Sequence, residues 1–409
     1  MAQEMNMTCN IVQNIDTKEV IISFAGHLDT ATSAEANAKI NRELADMVQV
    51  NSLICDAMEL EYISSSGLRI LLSLTKRFKD FRVINVQSQV YEVLETTGFT
   101  KIMTVERAVR RLSVKGCRLI GIGNVGKVYR LDGDTIIKVF REGTTMEEVR
   151  REITLSKEAF VLGMPTPISF DVVKVVLESE GSPECYGLVY ELLKAKTLST
   201  FLKQHPERLD EFAMKFADLY RQMHEIEVPV GTGIPSAIEH EHRQIEHIRR
   251  YFSEESLNIL HGILDCIPPA GRLLHLDLQT KNVMVQDDEL MLIDMGEVSY
   301  GNPLLDLGHS YSSMVGLIGD YEKTIGIPRE LGQRFWDKAI RCYFDGRMSK
   351  DIKAQIEVVS LVRNFSWLAL SDSFPQNVIE ECKATFNERV AMRIDYIKDV
   401  CQTLSDWKL

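Results

Sequence analysis

The chain has 409 residues, a formal net charge of −12 and 45% hydrophobic residues. This length suits two or three domains. Without a basic stripe or an overall positive charge, the composition gives no indication of a nucleic-acid partner. No apolar run is long enough to span a bilayer, so no membrane partner is expected. None of the eight cysteines lies in a CxxC pair and no signal-peptide pattern is present, so we expect reduced thiols in a cytoplasmic protein.

Strands and helices are predicted to alternate through the first 113 residues. The pattern of apolar residues predicts paired strands at 7–15 and 19–25, a helix at 33–47 and a short buried strand at 52–55. A second helix follows from Leu68. This alternation predicts a small α/β domain over residues 1–113.

Three serines, Ser64, Ser65 and Ser66, stand directly before the second helix. Serine is a common N-cap residue, so the cluster is explained by capping alone. An exposed hydroxyl at this place is also a suitable phosphate acceptor, because the helix dipole and free backbone amides favour negative charge there. Both interpretations remain open from these residues.

The order GHLDTATS, EYISSSGLRILL and SQVYEVLETTGFTKIM resembles the STAS domain of bacterial anti-sigma-factor antagonists. The resemblance covers nearly all of residues 1–113. It implies that Ser65 is the candidate phospho-acceptor and that the domain has a protein partner, an anti-sigma factor or another regulator. The family often has aspartate before the acceptor serine, whereas this chain has Ser64. Other STAS modules act only in docking or sensing.

Residues 106–115, ERAVRRLSVK, form a charged connector with few loop-forming residues. This composition predicts that the last helix of the first domain continues towards the second domain.

A glycine pattern of the form GxGxxGxV begins the second part of the chain. Its members, followed by a lysine on the next predicted strand, are Gly121, Gly123, Asn124, Gly126, Val128 and Lys138. A dinucleotide site would open a helix directly after the glycines. Strands on both sides of the glycine turn favour a flap over ATP phosphates instead.

A predicted amphipathic helix at 145–162 carries the candidate partners of Lys138, namely Glu148, Glu152 and Glu158. Glu148 and Glu152 share one face of this helix. The choice of Glu152 rests on the family resemblance described below, which implies that the paired glutamate precedes the helix end and the following strand entry by this interval. The alternative is that all three glutamates face solvent.

The segment GLVYELL, residues 187–193, is predicted to be a strand that leads into a hinge between two lobes. Backbone groups near Glu191 and Leu193 are candidates for binding the adenine edge of ATP.

One histidine cluster contains His240, His242 and His247. His242 does not share a helix face with the other two, so metal binding is poorly supported. The many charged neighbours predict a solvated helix.

The segment 272–297 contains two short apolar runs joined by polar residues, a pattern that predicts a β-hairpin. Asp277 precedes the hairpin, Asn282 begins it and Asp294 follows it. A carboxylate such as Asp277 can accept a hydroxyl proton, while Asn282 and Asp294 offer the oxygen ligands that Mg²⁺ requires. Each of these residues alone would more simply serve a turn.

The ordered set from the glycine pattern to Asp294 resembles the kinase-like superfamily, and within it the aminoglycoside and choline phosphotransferases. HLDLQTKN stands where protein kinases have HRDLxxxN, and Asp306 follows Asp294 too closely for a long activation loop. That branch commonly has HGDLHxxN, so Leu276 and Gln279 depart from it. The resemblance implies a bilobal protein-kinase-like domain, with an N-lobe at 117–193 and a largely helical C-lobe at 194–409. The whole chain then combines an α/β STAS domain with an α+β kinase-like domain.

The resemblance also implies the site roles and the cofactors, ATP and Mg²⁺. Glycine-loop amides cover the phosphates, and Lys138, oriented by Glu152, contacts the α- and β-phosphates. Asp277 receives the acceptor hydroxyl, and Asn282 with Asp294 holds the metal.

The preferred hypothesis is an ATP-dependent phosphotransferase that acts on the hydroxyl of a small molecule, with the STAS domain docking or regulating it. The alternative is a signalling protein whose kinase-like domain senses nucleotide or phosphorylates Ser65.

Overall fold

The structure is a computed structural model that describes residues 7–14, 17–47, 49–123, 126–177, 184–370 and 374–407. Contacts between residues divide the chain into two units, Met1–Leu112 and Ser113–Leu409. In the part of the chain that the structure describes, no helix combines the length and apolar character needed to cross a membrane.

The first unit alternates strands with helices, which are β1 (Thr8–Gln13), β2 (Glu19–Leu28), α1 (Ser33–Ala45), β3 (Ser52–Ile63), α2 (Ser65–Arg77), β4 (Phe81–Val86), α3 (Ser88–Thr96) and β5 (Thr104–Arg107). The five strands form one sheet in the order β1-β2-β3-β4-β5. β1 pairs with β2 antiparallel, and the other neighbours are parallel. The predicted α/β class of this region is confirmed.

Period-two burial explains how β2 forms. Val20, Ile22 and Phe24 are almost fully buried, while the residues between them are partly exposed. Such alternation directs one face of a strand into the core. β3 is longer than the predicted strand at 52–55, because the bulged pairing with β2 continues to Ile63.

Helix α2 begins at the serine cluster. Ser64 is its N-cap, and the Ser64 hydroxyl accepts a hydrogen bond of 3.4 Å from the backbone N–H of Gly67. Ser65 is the first helical residue and is exposed. Capping therefore involves Ser64 and leaves the Ser65 hydroxyl facing solvent.

The predicted helical connector at 106–115 is wrong. α3 ends at Thr96 and is followed by Gly98 in the left-handed conformation, with φ of 78°. The chain then forms β5 and a further strand, β6 (Arg110–Ser113). Valine-rich, alternating apolar and charged residues favour strand over helix, and this pattern outweighs the lack of loop-forming residues.

The second unit opens with the strands and helix of an N-lobe, which after β6 are β7 (Arg118–Ile122), β8 (Gly126–Arg130), β9 (Thr135–Phe140), α4 (Met146–Val161), β10 (Asp171–Val176) and β11 (Glu184–Glu191). Within this unit the strands β7 to β11 are arranged in the order β10-β11-β9-β8-β7. α4 starts with a capping box in which Thr145 and Glu148 satisfy each other's backbone N–H. Glu148, one of the candidate partners of Lys138, is thus used at the helix start.

The remainder of the chain is mostly helical and consists of β12 (Lys196–Thr197), α5 (Leu198–Gln204), α6 (Leu209–Glu225), α7 (Ala237–His247), α8 (Glu254–Asp265), β13 (Arg272–Leu274), β14 (Val283–Gln286), β15 (Glu289–Leu292), β16 (Ser299–Gly301), α9 (Pro303–Met314), α10 (Tyr321–Ile325), α11 (Arg329–Tyr343), α12 (Lys350–Ser366), α13 (Gln376–Arg389) and α14 (Ile394–Leu404). Aromatic side chains such as Phe216, Phe335 and Phe365 fill its core. The predicted largely helical C-lobe is confirmed.

The hairpin predicted within 272–297 is present as β14 and β15. Its turn contains Asp287 and Asp288, both with positive φ, of 50° and 64°. Two successive residues of this kind match the tight hairpin turns that join antiparallel strands, for which Asn, Asp and Gly are favoured.

The start of α2 yields a stability prediction. A Cβ atom at Gly67 would lie 2.8 Å from both the Ile63 side chain and the Leu28 carbonyl oxygen. Because the backbone of β2 cannot yield easily, we expect Gly67→Ala to destabilise the first unit by about 1–3 kcal/mol. Hydrogen exchange of the β2 and α2 amides measures this local loss. Ser66→Ala on the same helix is the control, and equal protection in both variants would contradict the steric argument.

Candidate active site

Lys138 lies between two carboxylates. It extends from β9, and its ammonium donates to Glu152 Oε1 of α4 at 2.7 Å and to Asp294 Oδ1 at 2.9 Å. The Lys138 and Glu152 side chains are 16% and 9% exposed. The predicted contact of Lys138 with Glu152 is therefore present, and Asp294 is a second partner of the same ammonium.

The charge balance of this triad explains its pKa values. Burial alone would lower the pKa of Lys138, but Asp294 and Glu152 outweigh it and raise the pKa. Burial also raises the pKa of Glu152. The two carboxylates account for the raised pKa of Lys138, whereas burial is the main cause of the raised pKa of Glu152.

The glycine strands lie beside Lys138. Val128 pairs with Lys138 across β8 and β9, and with Gly121 across β7 and β8. A Cβ atom at Gly126 would lie 2.0 Å from the Val139 carbonyl oxygen, so this position requires glycine. The Gly123 N–H donates to the Gly126 carbonyl at 2.9 Å. Asn124, also predicted to contact ATP, lies outside the described residues.

The predicted hinge follows β11. Glu191 pairs with Thr135 of β9 and is exposed, and the N–H of the next residue, Leu192, donates to the Asp134 carbonyl at 2.7 Å. Leu193 is half-buried. The backbone here is anchored to the N-lobe sheet up to Leu192, and the Glu191 and Leu193 backbone groups remain candidates for the adenine edge.

Asp277 and Asn282 are held together at the start of the hairpin. The Asn282 amide nitrogen donates to the Asp277 carbonyl and to Asp277 Oδ2, both at 2.8 Å. The hairpin then returns the chain to Asp294, since the Ile293 N–H donates to the Asn282 carbonyl at 2.9 Å. The three polar residues predicted from this segment thus converge.

Asn282 and Asp294 could hold a divalent cation. Because the Asn282 nitrogen is directed at Asp277, its amide oxygen is left as an acceptor. Asp294 has φ of 62°, a left-handed conformation, and its side chain is 40% exposed. One amide and one carboxylate oxygen suit Mg²⁺, which usually keeps several waters and substrate phosphates as further ligands. No group of three or more His, Cys, Asp and Glu side chains that could hold a metal occurs within the described ranges.

Asp306, in the first turn of α9, holds the loop that carries Asp277. Its fully buried carboxylate accepts the backbone N–H groups of His275 and Leu276 at 2.8 and 2.9 Å, and His224 Nε2 lies 3.2 Å from it. Leu276 is itself left-handed, with φ of 61°. Burial alone would raise the pKa of Asp306, but His224, His275 and the backbone donors lower it. The sequence interpretation used Asp306 only for its spacing, although an acid inside the apolar run PLLDL signals a buried role.

Asp277 is a plausible proton acceptor on electrostatic grounds. Burial raises its pKa to about 6, although nearby Arg363 acts in the opposite direction. Arg363 of α12 has its Nη2 3.9 Å from Asp277 Oδ1. A carboxylate with a pKa near neutrality suits general base catalysis. Arg363 was not predicted, and its signal was a charge within the apolar run VVSLVRNFSWL.

The prediction that α7 is a solvated helix is wrong for its inner face. His240 is buried, with Nε2 3.0 Å from Glu297 Oε2, and Glu241 is fully buried, with Oε1 3.4 Å from His309 Nε2. Burial alone would raise the pKa of Glu297, but His240, Arg363 and Arg151 lower it to about 2. Sequence charge could not reveal these tertiary partners.

Two family matches cover most of the chain. Residues 116–323 match the Phosphotransferase enzyme family, and residues 8–112 match the STAS domain. The fold and the site thus define a kinase-like phosphotransferase domain that follows a STAS domain. The chain belongs to the phosphotransferase enzyme family, and both predicted family resemblances are confirmed.

Solved structures also resemble the chain, at low sequence identity. A mutant aminoglycoside 2'-phosphotransferase IIIa in complex with GDP is 15% identical, with a TM-score of 0.47 over 76% of this chain and 99% of its own. A choline/ethanolamine kinase family protein from Mesorhizobium loti is 13% identical, with a TM-score of 0.46 over 71% and 92%. An anti-sigma factor antagonist from Mycobacterium paratuberculosis is 19% identical, with a TM-score of 0.23 over 26% and 90%. No curated protein sequence matches the chain.

The Asp306 anchor yields a prediction for stability and its pH dependence. Asp306→Asn should destabilise the second unit by about 3 kcal/mol at neutral pH, because an amide cannot replace a carboxylate that accepts two N–H groups. Since the folded-state pKa is lowered, the stabilisation is complete above the unfolded-state pKa of about 4 and is lost as the pH falls through the folded-state value. The difference between wild type and variant should therefore shrink in acid.

Urea unfolding followed by tryptophan fluorescence measures this effect, because all three tryptophans, at 336, 367 and 407, lie in the second unit. Asp351→Asn is a matched control, since Asp351 occupies the first turn of α12 and is exposed. Equal stability of the two variants at neutral pH would show that the loop does not depend on Asp306.

Proposed function

We propose that this protein uses ATP and Mg²⁺ to phosphorylate the hydroxyl of a small molecule. The observation that carries the proposal is the convergence of Lys138, Glu152 and Asp294 beside the Asp277–Asn282 pair. These are the groups that phosphoryl transfer requires for phosphate contact, metal binding and orientation of the attacking hydroxyl. Membership of the phosphotransferase enzyme family supports the same reaction class.

Each residue of the site has a separate role. Lys138, held by Glu152, contacts the α- and β-phosphates, and the backbone of β7 and β8 covers the triphosphate. The backbone groups near Glu191 and Leu193 bind the adenine edge. Mg²⁺ bound by Asn282 and Asp294 would neutralise the phosphate charge.

Asp277 orients the acceptor. Its carboxylate accepts a hydrogen bond from the acceptor hydroxyl, whose oxygen attacks the γ-phosphorus. The bond to the β,γ-bridging oxygen breaks, ADP leaves, and the hydroxyl proton passes to Asp277. The pKa of about 6 keeps Asp277 ionised at neutral pH and makes it a better proton acceptor than an ordinary aspartate.

Asp277→Asn tests the proposal. We expect turnover to fall by about 10²- to 10⁴-fold, because the variant orients the hydroxyl poorly and cannot accept its proton. Nucleotide affinity should change by less than about threefold, because Asp277 contacts the acceptor and not the nucleotide. The assay follows γ-labelled ATP with Mg²⁺ and a panel of aminoglycosides, choline, homoserine and sugars.

Asp287→Asn is the matched control for this experiment. It makes the same chemical change at an exposed hairpin-turn residue with positive φ, where asparagine is well tolerated. Near-normal turnover of Asp277→Asn on any accepted alcohol would refute the role of Asp277.

A second candidate function is phosphorylation of the STAS domain itself, and the exposed hydroxyl of Ser65 favours it. Phosphate on the first residue of α2 would lie beside the free N–H groups and the positive end of the helix dipole. The chain would then be a signalling protein with a regulatory partner such as an anti-sigma factor.

On this second hypothesis, we expect labelled phosphate on the chain itself when no small molecule is added. The label should disappear in Ser65→Ala and persist in Ser66→Ala, as measured by peptide mass spectrometry. Label that persists in Ser65→Ala, or none on the chain, would exclude Ser65 as the acceptor of this kinase domain.

A further inference from the structure

Arg363 is a charged residue in the last turn of helix α12. It lies on α12, where its neighbours Val362, Asn364 and Phe365 are buried, and its own side chain is only 12% exposed. The guanidinium is directed at the proposed acceptor site, with Nη2 3.9 Å from Asp277 Oδ1. Although the side chain is mostly buried, none of its nitrogens is among the fully buried polar atoms of the described residues that lack a partner, so the guanidinium donors remain accessible to a ligand.

The partners present do not satisfy this guanidinium. Among the described residues, no hydrogen bond of 3.5 Å or less reaches the Arg363 side chain, and the contact with Asp277 at 3.9 Å exceeds hydrogen-bonding distance. A guanidinium offers five N–H donors in a rigid planar fork. The N–H donors of Arg363 thus have no hydrogen-bond acceptor among the described residues.

The nearby carboxylates have other partners. Asp277 Oδ2 accepts from Asn282, Glu297 lies 3.0 Å from His240, and Glu241 accepts from Ser366 at 3.1 Å. None of these acids therefore provides the planar, two-point partner that matches a guanidinium. Glu297 is equally unavailable as a dedicated site for a cationic substrate, because His240 already contacts it.

We propose that Arg363 binds an anionic group, a carboxylate or a phosphate, on the acceptor alcohol. This inference rests on the proposed function and specifies its substrate class. Arginine pairs with such groups through two parallel hydrogen bonds. The acceptor would place its hydroxyl on Asp277 and its anionic group on Arg363.

The geometry limits the size of the acceptor. A compact molecule can make both contacts at once. Its hydroxyl oxygen would lie about 2.7 Å from Asp277 Oδ1, and its anionic oxygen would lie about 2.8 Å from the guanidinium. Because the two protein atoms are 3.9 Å apart, hydroxyl and anion should be separated by only a few bonds. Small hydroxy acids and phosphorylated short alcohols meet this condition.

Arg363 has one competing role, which is to stabilise the charge of Asp277 without touching substrate. The two roles predict different kinetics. Loss of a substrate contact raises KM for the anionic acceptor alone, whereas loss of a positioning residue lowers kcat for every acceptor.

The experiment uses the full-length chain with Mg²⁺ and ATP, and compares acceptors that differ only in the anion. Glycerate, glycerol 3-phosphate and glyceramide form one set, and serine and serinamide form another. Wild type should prefer the acid or the phosphate ester over the amide by at least about tenfold in kcat/KM. Comparison of glycerate with glycerol 3-phosphate shows whether the site prefers a carboxylate or a phosphate.

Arg363→Gln should raise KM for the anionic acceptor by about 10- to 100-fold and leave KM for the amide nearly unchanged. Because Arg363 also lowers the pKa of Asp277, any loss of kcat in this variant should be the same for the acid and the amide. Arg363→Lys keeps the charge but loses the fork, so it should recover only part of the affinity. Arg393→Gln, which breaks a 2.8 Å ion pair with Glu357, is the control for loss of an arginine. Should Arg363→Gln fail to fold, Arg363→Lys carries the comparison.

Three outcomes would overturn the inference. Equal loss of kcat on acid and amide, with KM for the acid unchanged, would make Arg363 a positioning residue. Efficient phosphoryl transfer to neutral or cationic alcohols, at rates that are the same in wild type, Arg363→Lys and Arg363→Gln, would refute the anion site. The proposed function would still hold. Absence of transfer to any alcohol, despite ATP binding, would reject the proposed function and this inference with it.

Discussion

The site depends on one buried carboxylate, that of Asp306. Two consecutive backbone N–H groups of the loop before Asp277 donate hydrogen bonds to this carboxylate. One of them belongs to Leu276, which has a left-handed conformation. A left-handed non-glycine residue costs energy and persists only where its surroundings fix it. The buried acid provides that constraint, so the position of the proposed base is set from helix α9 as well as by Asn282 at the start of the hairpin.

Lys138 sets the second constraint, because it joins the N-lobe to the hairpin of the C-lobe. Its contacts with Glu152 and Asp294 place one positive charge between two negative charges. Mg²⁺ on Asp294 would repel the ammonium and compete for the same oxygen. When a metal–nucleotide complex binds, the Lys138 ammonium should therefore leave Asp294 and contact the phosphates. Its contact with Glu152 should remain.

Sequence reasoning succeeded where the signal is local. The strands on both sides of the glycine pattern and the hairpin from Val283 to Leu292 depend on residues close in the chain. It failed where distant residues decide the structure. The connector became strands, and His240 and Glu241 became buried through partners on other elements. No periodicity within α7 encodes a contact with Glu297, more than 50 residues away, so composition alone suggested a solvated helix.

Charges inside apolar helices connect these observations. Asp306 interrupts the apolar start of α9, and Arg363 follows the apolar run Val358–Val362 in the last turn of α12. A core position excludes charge unless the charge has a partner, so each interruption requires a nearby polar group of opposite character. For Asp306 that group is the backbone of the loop that carries Asp277, which is part of the protein. The groups around Arg363 leave most of its donors without an acceptor, and this is why its complement is better sought in the substrate than in the chain.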